Sequence, residues 1–414
     1  MSLRYLTAGE SHGPALVGIL EGLPAGVTVE RSQIEHQLAR RRHGHGRSPR
    51  MQFETDALEI LGGVRHGLTI GSPVGLVIRN TEWPKWEQVM ATDAPADPEA
   101  LAATGRGQPL TRPRPGHADL AGMQKYRFDD ARNVLERASA RETAMRVALA
   151  TIARGLLDAV GITVVSHVVR IGDVALSDDL APPGPADNER VDADPVRCID
   201  PDTSRRMQQA IDHAKAARDT LGGVIEVLVY GAPPGLGSHV HWDRKLDARL
   251  AAALMSVQAI KAVEVGDGLR LGHVPGSQAH DEIAPAGGEG VGERQQAGRP
   301  GPNGIAVRRL TDRAGGIEGG MTTGETVRLR ATMKPISSLT QPLRTVDTTT
   351  GSEAAAITQR SDVCAVPRAG VVAEAAVVFE AARALLEKTG GDSLEEVRHN
   401  LRSYLDQLAI TPAP

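Results

Sequence analysis

Two stretches constrain this chain more than any other feature. Residues 140–160 and 370–388 both read as long helices, and the first is apolar on most sides from Ala144 to Leu157. A helix apolar all round has to be buried, so the fold must supply layers that cover both. Neither reads as a membrane span, because no uncharged apolar run approaches eighteen residues. The best candidate, 370–382, is interrupted by Glu374 and Glu380. Ser139 and Glu142 form an S-x-x-E box at the start of the first helix. Gly390–Gly391 end the second, and Ser393 with Glu396 cap a last, amphipathic one.

The covering layers read as strands that alternate with helices. Segment 14–22 reads as a strand closed by Gly22. Ser32 and Glu35 then mark a capping box opening a helix near 33–42, with Ile34 and Leu38 on one face. Segment 222–231 reads as a second strand, followed by a helix near 242–263 that carries Trp242, Leu246, Leu250 and Leu254 at i+4 intervals. Both strand ends share G-x-P-x-G-aliphatic, at Gly22–Val27 and Gly231–Leu236. This pattern points to an internal pseudo-duplication, although two unrelated strand–turn–helix units fit six positions equally well. Segments 91–113, 178–203 and 274–304 read as surface loops. No linker divides residues 1–414, which are expected to form one domain.

Charge separates the function classes. The chain has net charge −4, a pI near 6.4 and 2% aromatic residues. Duplex nucleic acid calls for a broad basic face and single strands call for aromatic platforms, so neither is the expected partner. Yet residues 38–51, LARRRHGHGRSPRM, hold five arginines, two histidines and no acid. Cationic charge this local suits a small, highly charged anion. The two cysteines, Cys198 and Cys364, have neither disulfide nor zinc spacing. The N-terminus lacks a signal-peptide pattern, and a reducing, cytoplasmic location is expected. Walker, Rossmann and HExxH patterns are absent. His43 and His45 read as anion-facing rather than metal-binding, because no acid or cysteine stands beside them.

Five polar clusters remain. AGESHG (8–13) offers Ser11 and an acid/base candidate, His12. RPRPGHADLAGMQKYRFDD (112–130) fixes its backbone with proline and glycine around Arg114 and His117. LERASARETAMR sets Ser139 and Arg141 at a helix N-terminus, which favours an anion. GGIEGGMTTGE and MKPISSL (315–339) combine close-approach glycines with the hydroxyls of Ser337 and Ser338. QRSDVCAVPRAG (359–370) places Arg360 and Asp362 ahead of the apolar C-terminal helix.

These clusters, in this order and spread over nearly the whole chain, resemble chorismate synthase. The resemblance implies a lyase of the shikimate pathway of aromatic amino acid biosynthesis. It would convert 5-enolpyruvylshikimate 3-phosphate to chorismate and phosphate by anti-1,4-elimination, using reduced FMN without net redox change. It also implies an α+β fold, a β-α-β sandwich with helices packed between two sheets, assembled as a homotetramer. On the family pattern, Ser11, Arg41, Arg47, Arg50, Arg114 and Arg141 bind substrate. FMN contacts fall on Arg137, Ala138, Ser139, Gln258, Ala259 and Gly319, and then on Lys334, Pro335, Ile336, Ser337, Ser338 and Arg360. Ala138 stands where the family often has a second serine. His12 would protonate the departing phosphate, His117 would sit near flavin N1, and Asp362 would relay the N5 proton. Arginine suits such a pocket because its fork meets carboxylate and phosphate bidentately. Loops near 38–51, 91–113 and 274–304 are expected to be mobile, and those at 38–51 and 274–304 to order around ligand. No reductase domain is legible, so an external flavin reductase would supply reduced FMN. The alternatives are a flavin-dependent oxidoreductase acting on a polyanionic small molecule, and a non-catalytic anion- or RNA-binding protein.

Overall fold

A computed structural model of the chain describes residues 3–47, 56–286, 305–358 and 362–412. The first half begins with strands β1 (Arg4–Ala8) and β2 (Ala15–Glu21), helix α1 (Arg31–Arg40), and strands β3 (Ala57–Gly62) and β4 (Val74–Arg79). They form an antiparallel sheet in the order β1-β2-β4-β3. An excursion carrying the short helix α2 (Arg132–Arg137) leads into helix α3 (Thr143–Asp158). The second half repeats the plan. It has strand β5 (Thr163–Ile171), an inserted helix α4 (Pro201–Ala216), strand β6 (Gly223–Tyr230), helix α5 (Leu246–Met255), and strands β7 (Ile260–Val265) and β8 (Val327–Met333). Its antiparallel order is β5-β6-β8-β7, extended by the two-residue strand Val174–Ala175 on the β5 edge. Helix α6 (Val366–Thr389) and helix α7 (Leu394–Asp406) complete the chain. The fold is thus a mixed α+β arrangement of antiparallel sheets.

The two all-round apolar helices are the interior. Helix α3 packs on the first sheet, α6 on the second, and the two pack on each other. Alternation in β2 explains the sidedness. Leu16 and Leu20 are buried toward α3, whereas Val17 and Ile19 face outward. Gly18 is required on the inner face, because a Cβ there would come within 2.5 Å of Met145 Sδ and 2.9 Å of Leu149. A buried ionic node fastens the layers. Glu374 of α6 accepts from Arg40 at 2.8 and 3.1 Å, from Arg154 at 2.5 Å and from Ser166 at 2.8 Å. Burial alone would raise its carboxyl, but Arg40 and Arg154 hold it down at about 2. The node pins the end of α1, where the cationic segment begins.

Several boundaries differ from expectation. The helix expected near 33–42 starts at Arg31 behind an N-cap at Glu30 that makes no side-chain cap bond, so the Ser32/Glu35 box does not form. Val29 is still held in the extended ladder by Gly67 O at 2.8 Å, and the first turn closes directly after it. The helix expected over 242–263 ends at Met255, and Ile260–Val265 is strand β7 instead. The chain reverses through Ala259 at φ 69°. Trp242 lies in a preceding 3-10 turn and is exposed. Segment 178–203 is not all loop. It holds the helix Asn188–Ala193 and the start of α4, whose Asp200 side chain accepts from Thr203 N–H at 2.8 Å ahead of Pro201. Segment 91–113 contains the helix Pro98–Ala103. The described part of 274–304 contains Gly276–Ala279 as helix and Ile283–Pro285 as strand. At Ser393 the capping box forms in full, and at Ser139 the hydroxyl accepts from Arg141 N–H.

Candidate active site

Residues from both halves meet in a cavity of about 450 Å³. The N-terminal motif brings Ser11 and His12, the end of α1 brings Arg41, and the turn before residue 119 brings Arg114 and His117. The end of α2 brings Ala138 and Ser139. From the second half, the end of α5 supplies Gln258 and Ala259, and the end of β8 supplies Lys334, Pro335, Ile336, Ser337 and Ser338. The α1 and α5 ends occupy matching places in the two repeats. Leu135, Val257, Met333, Ala365, Ala369 and Val372 give the cavity apolar wall, and Arg368 adds a further cation.

Each histidine is anchored by a buried acid. Glu136 Oε1 lies 2.9 Å from His12 Nδ1, and Glu136 Oε2 accepts the His12 backbone N–H at 2.9 Å. Trp86 stacks on the His12 ring with centroids 4.0 Å apart. Asp119 Oδ1 lies 2.5 Å from His117 Nδ1. Asp119 also accepts from Arg114 Nε at 2.9 Å and Nη2 at 3.1 Å. Burial alone would raise the Asp119 carboxyl, but hydrogen bonds from His117 and Arg114 hold it far below the usual range. An ionised carboxylate only accepts, so His117 Nδ1 carries a proton. Arg114, oriented by Asp119, donates through Nη1 to Ser338 Oγ at 2.9 Å. Ser139 Oγ donates to Ser11 Oγ at 3.2 Å, and Lys334 Nζ donates to Gly116 O at 2.5 Å.

Other expected residues stand elsewhere. Arg141 bonds Asn80 Oδ1 at 3.2 Å and pairs with buried Asp56. Arg137 reaches β1, donating to Gly9 O and Thr7 O at 3.0 Å. Asp362 is buried and pairs at 2.6 Å with Arg368, which lines the cavity, but does not line it itself. Gly319 lies in the turn between the two-residue strands Ile317–Glu318 and Met321–Thr322 and does not line the cavity. Arg47 follows Gly46, whose carbonyl accepts from Val363 N–H at 2.9 Å. His45 binds Asp212 at 2.8 Å. His43 is held below its ordinary value by burial, then by Arg47 and Arg42, as the density of cations here requires. Arg50 and Arg360 lie outside the described residues, as do 48–51 of the first expected loop and 287–304 of the last. Sequence reasoning did not single out Glu136, Asp119, Trp86 or Arg368. Asp119 had a legible signal, an acid two residues after a histidine.

An α+β fold whose interior cleft gathers arginines, a lysine, hydroxyls and two acid-anchored histidines against apolar wall defines an enzyme for a polyanionic small molecule. The comparisons make that class particular. The family model described as chorismate synthase matches residues 3–386. A chorismate synthase from Frankia casuarinae is 63% identical over 409 residues, covering 99% of this chain and 100% of that protein. One from Salinispora tropica is 61% identical over 409 residues, with 99% and 100% covered. A solved structure described as a crystal structure of chorismate synthase superposes with TM-score 0.73 at 37% identity, covering 98% of this chain and 97% of that one. The chain belongs to the chorismate synthase family.

Proposed function

We infer that the cavity converts 5-enolpyruvylshikimate 3-phosphate to chorismate and phosphate, as a lyase of the shikimate pathway. The observation that carries this reading is the pair of acid-anchored histidines, His12–Glu136 and His117–Asp119, turned into one cavity lined by Arg41, Arg114, Lys334 and Arg368. Such cations fit the two carboxylates and the phosphate of the substrate.

Reduced FMN is the cofactor we propose, and the cavity fits it. Apolar surface from Leu135, Val257, Met333 and Ala369 suits a flat ring, while Lys334, Ser337 and Ser338 supply polar groups for a phosphate chain. When bound, reduced FMN supplies electron density for carbon–oxygen cleavage without net redox change. Arg41 and Arg114 orient the substrate anions. His12 gives a proton to the departing phosphate oxygen. His117, held by Asp119, places positive charge beside the reduced cofactor. Asp362, braced by Arg368, handles the proton lost from the ring carbon.

We further read the fold as a β-α-β sandwich that arose by duplication, a reading supported by the repeated strand order. The outward side chains Leu6, Val17, Ile19 and Leu61 of the first sheet favour assembly of four copies. Among the described residues no helix is long and apolar enough to cross a membrane. We place the enzyme in the cytoplasm with a separate flavin reductase supplying reduced FMN.

Binding by variants tests the assignment. Lys334→Ala should weaken FMN, and Arg41→Ala should weaken substrate. A lost charge-assisted hydrogen bond is worth about 1.5–3 kcal/mol, or roughly 10–100-fold in Kd. Unchanged affinities in both variants would place the ligands elsewhere.

A further inference from the structure

We propose that Glu136 is a positioning residue for proton delivery: it fixes the Nδ1–H tautomer of His12, so that proton exchange with the ligand falls to Nε2. The inference rests on the reading of His12 as the proton donor.

Three independent constraints act on the one imidazole. Its position is set through the backbone, because Glu136 Oε2 accepts the His12 N–H at 2.9 Å while the Glu136 carbonyl accepts the Ser11 N–H at 3.1 Å. The N-terminal motif therefore moves with helix α2, although 124 residues separate the partners. Its plane is set by Trp86, stacked at an interplanar angle of 24°. Trp86 is in turn covered by the guanidinium groups of Arg106 and Arg132, each 5.8 Å from the ring centroid. Its tautomer is set by charge and geometry. Glu136 is 2% exposed, and both carboxylate oxygens lie within 3.0 Å of Nδ1. An ionised carboxylate has only lone pairs to offer, so Nδ1 must carry a hydrogen.

The proton balance follows. Protonated His12 holds hydrogens on both nitrogens. As the phosphate oxygen leaves with the electron pair of its carbon–oxygen bond, the Nε2–H bond breaks and an O–H bond forms on phosphate. Neutral His12 remains as the Nδ1–H tautomer, with its lone pair on Nε2, ready to be reprotonated. Without the carboxylate, neutral His12 can equally hold its hydrogen on Nε2, and the ring can turn over. Ser11 and Ser139 would keep their places, so substrate and cofactor binding should change little.

The test is a double-mutant cycle in the full-length enzyme with saturating reduced FMN under anaerobic conditions, reading kcat, KM and melting temperature. Glu136→Gln keeps the size and can accept through its amide oxygen, but its amide can also donate to Nδ1, so the tautomer is no longer imposed. A carboxylate-to-amide change in a comparable acid–histidine pair lowers turnover about 10⁴-fold. Glu136→Gln should lower kcat by about 10²–10⁴ with KM nearly unchanged, and Glu136→Asp should recover at least part of the loss. His12→Ala combined with Glu136→Gln should be no slower than His12→Ala alone, since one residue acts through the other. If Glu136→Gln lowers the melting temperature, all variants are assayed below its unfolding transition and kcat is taken per folded molecule. A kcat within about threefold of wild type in the glutamine variant, or single losses that multiply in the double variant, overturns the inference. If His12→Ala itself keeps full kcat, the reading of His12 as donor fails along with it, whereas a slow His12→Ala beside a fast Glu136→Gln overturns the role of Glu136 alone.

Discussion

Thr69 and Thr322 make the same pair of hydrogen bonds in the two halves of the chain. Thr69 Oγ1 donates to Pro24 O at 2.6 Å and accepts Val27 N–H at 2.9 Å. Thr322 Oγ1 donates to Pro233 O at 2.6 Å and accepts Leu236 N–H at 2.8 Å. Each ties down the G-x-P-x-G turn that follows β2 or β6, where Gly26 and Gly235 sit at φ 88° and 83°. Both threonines are buried. Thr69→Val and Thr322→Val keep shape but strand a backbone N–H and a carbonyl. Each should therefore cost about 1–3 kcal/mol in denaturant unfolding, with similar values for the two. A neutral result at one site and a large loss at the other would break the equivalence.

The duplication was legible in part because those turns demand glycine and proline at fixed places, and that demand survives in the sequence. The threonines were not, since each works from a strand 42 or 86 residues away from the N–H it binds. The same division holds in the site. His12, Arg114, His117 and Ser139 sit in motifs dense enough to read. Glu136 looked like one acid in a helical stretch, because its partner is made by tertiary packing. The overlong helix at 242–263 arose because Leu246, Leu250 and Leu254 do share a buried face, and because no glycine or proline between Met255 and Ile260 marks where the helix stops.

Two carboxyls should tilt stability in opposite directions. Glu374 is held at about 2, below its ordinary 4.5, so its contribution is full above pH about 4.5 and is lost as pH falls through about 2. The stability gap between wild type and Glu374→Gln should therefore narrow across that window. Melting curves with a constant gap from pH 5 to pH 2 would contradict the buried node.

Burial pushes Asp312 the other way, up to about 7 from 3.8, even though Arg328 opposes the shift. Its charged form is disfavoured in the fold, so stability should drain away as pH rises from about 4 to about 7. Asp312→Asn can still accept the Gly316 N–H that Asp312 Oδ1 accepts at 2.8 Å. The variant should gain on wild type progressively over that range and hold a steady lead above it. A lead that does not grow with pH contradicts the raised value.

Burial raises the thiol of Cys198 to about 11 and that of Cys364 to about 12. Thiolate is the reactive form, so a disulfide reagent at pH 8 should label neither cysteine in the native protein and both in denaturant. Rapid labelling of folded protein would show that one of them is accessible.

In the proposed elimination, flavin ends as it began. Dithionite-reduced FMN in substoichiometric amount should be mixed anaerobically with excess 5-enolpyruvylshikimate 3-phosphate, while chorismate, phosphate and flavin absorbance are followed together. The expected result is many turnovers per flavin, one phosphate per chorismate, and a flavin spectrum that returns to the reduced form. Oxidation of one flavin for each product, or no chorismate at all, would contradict it.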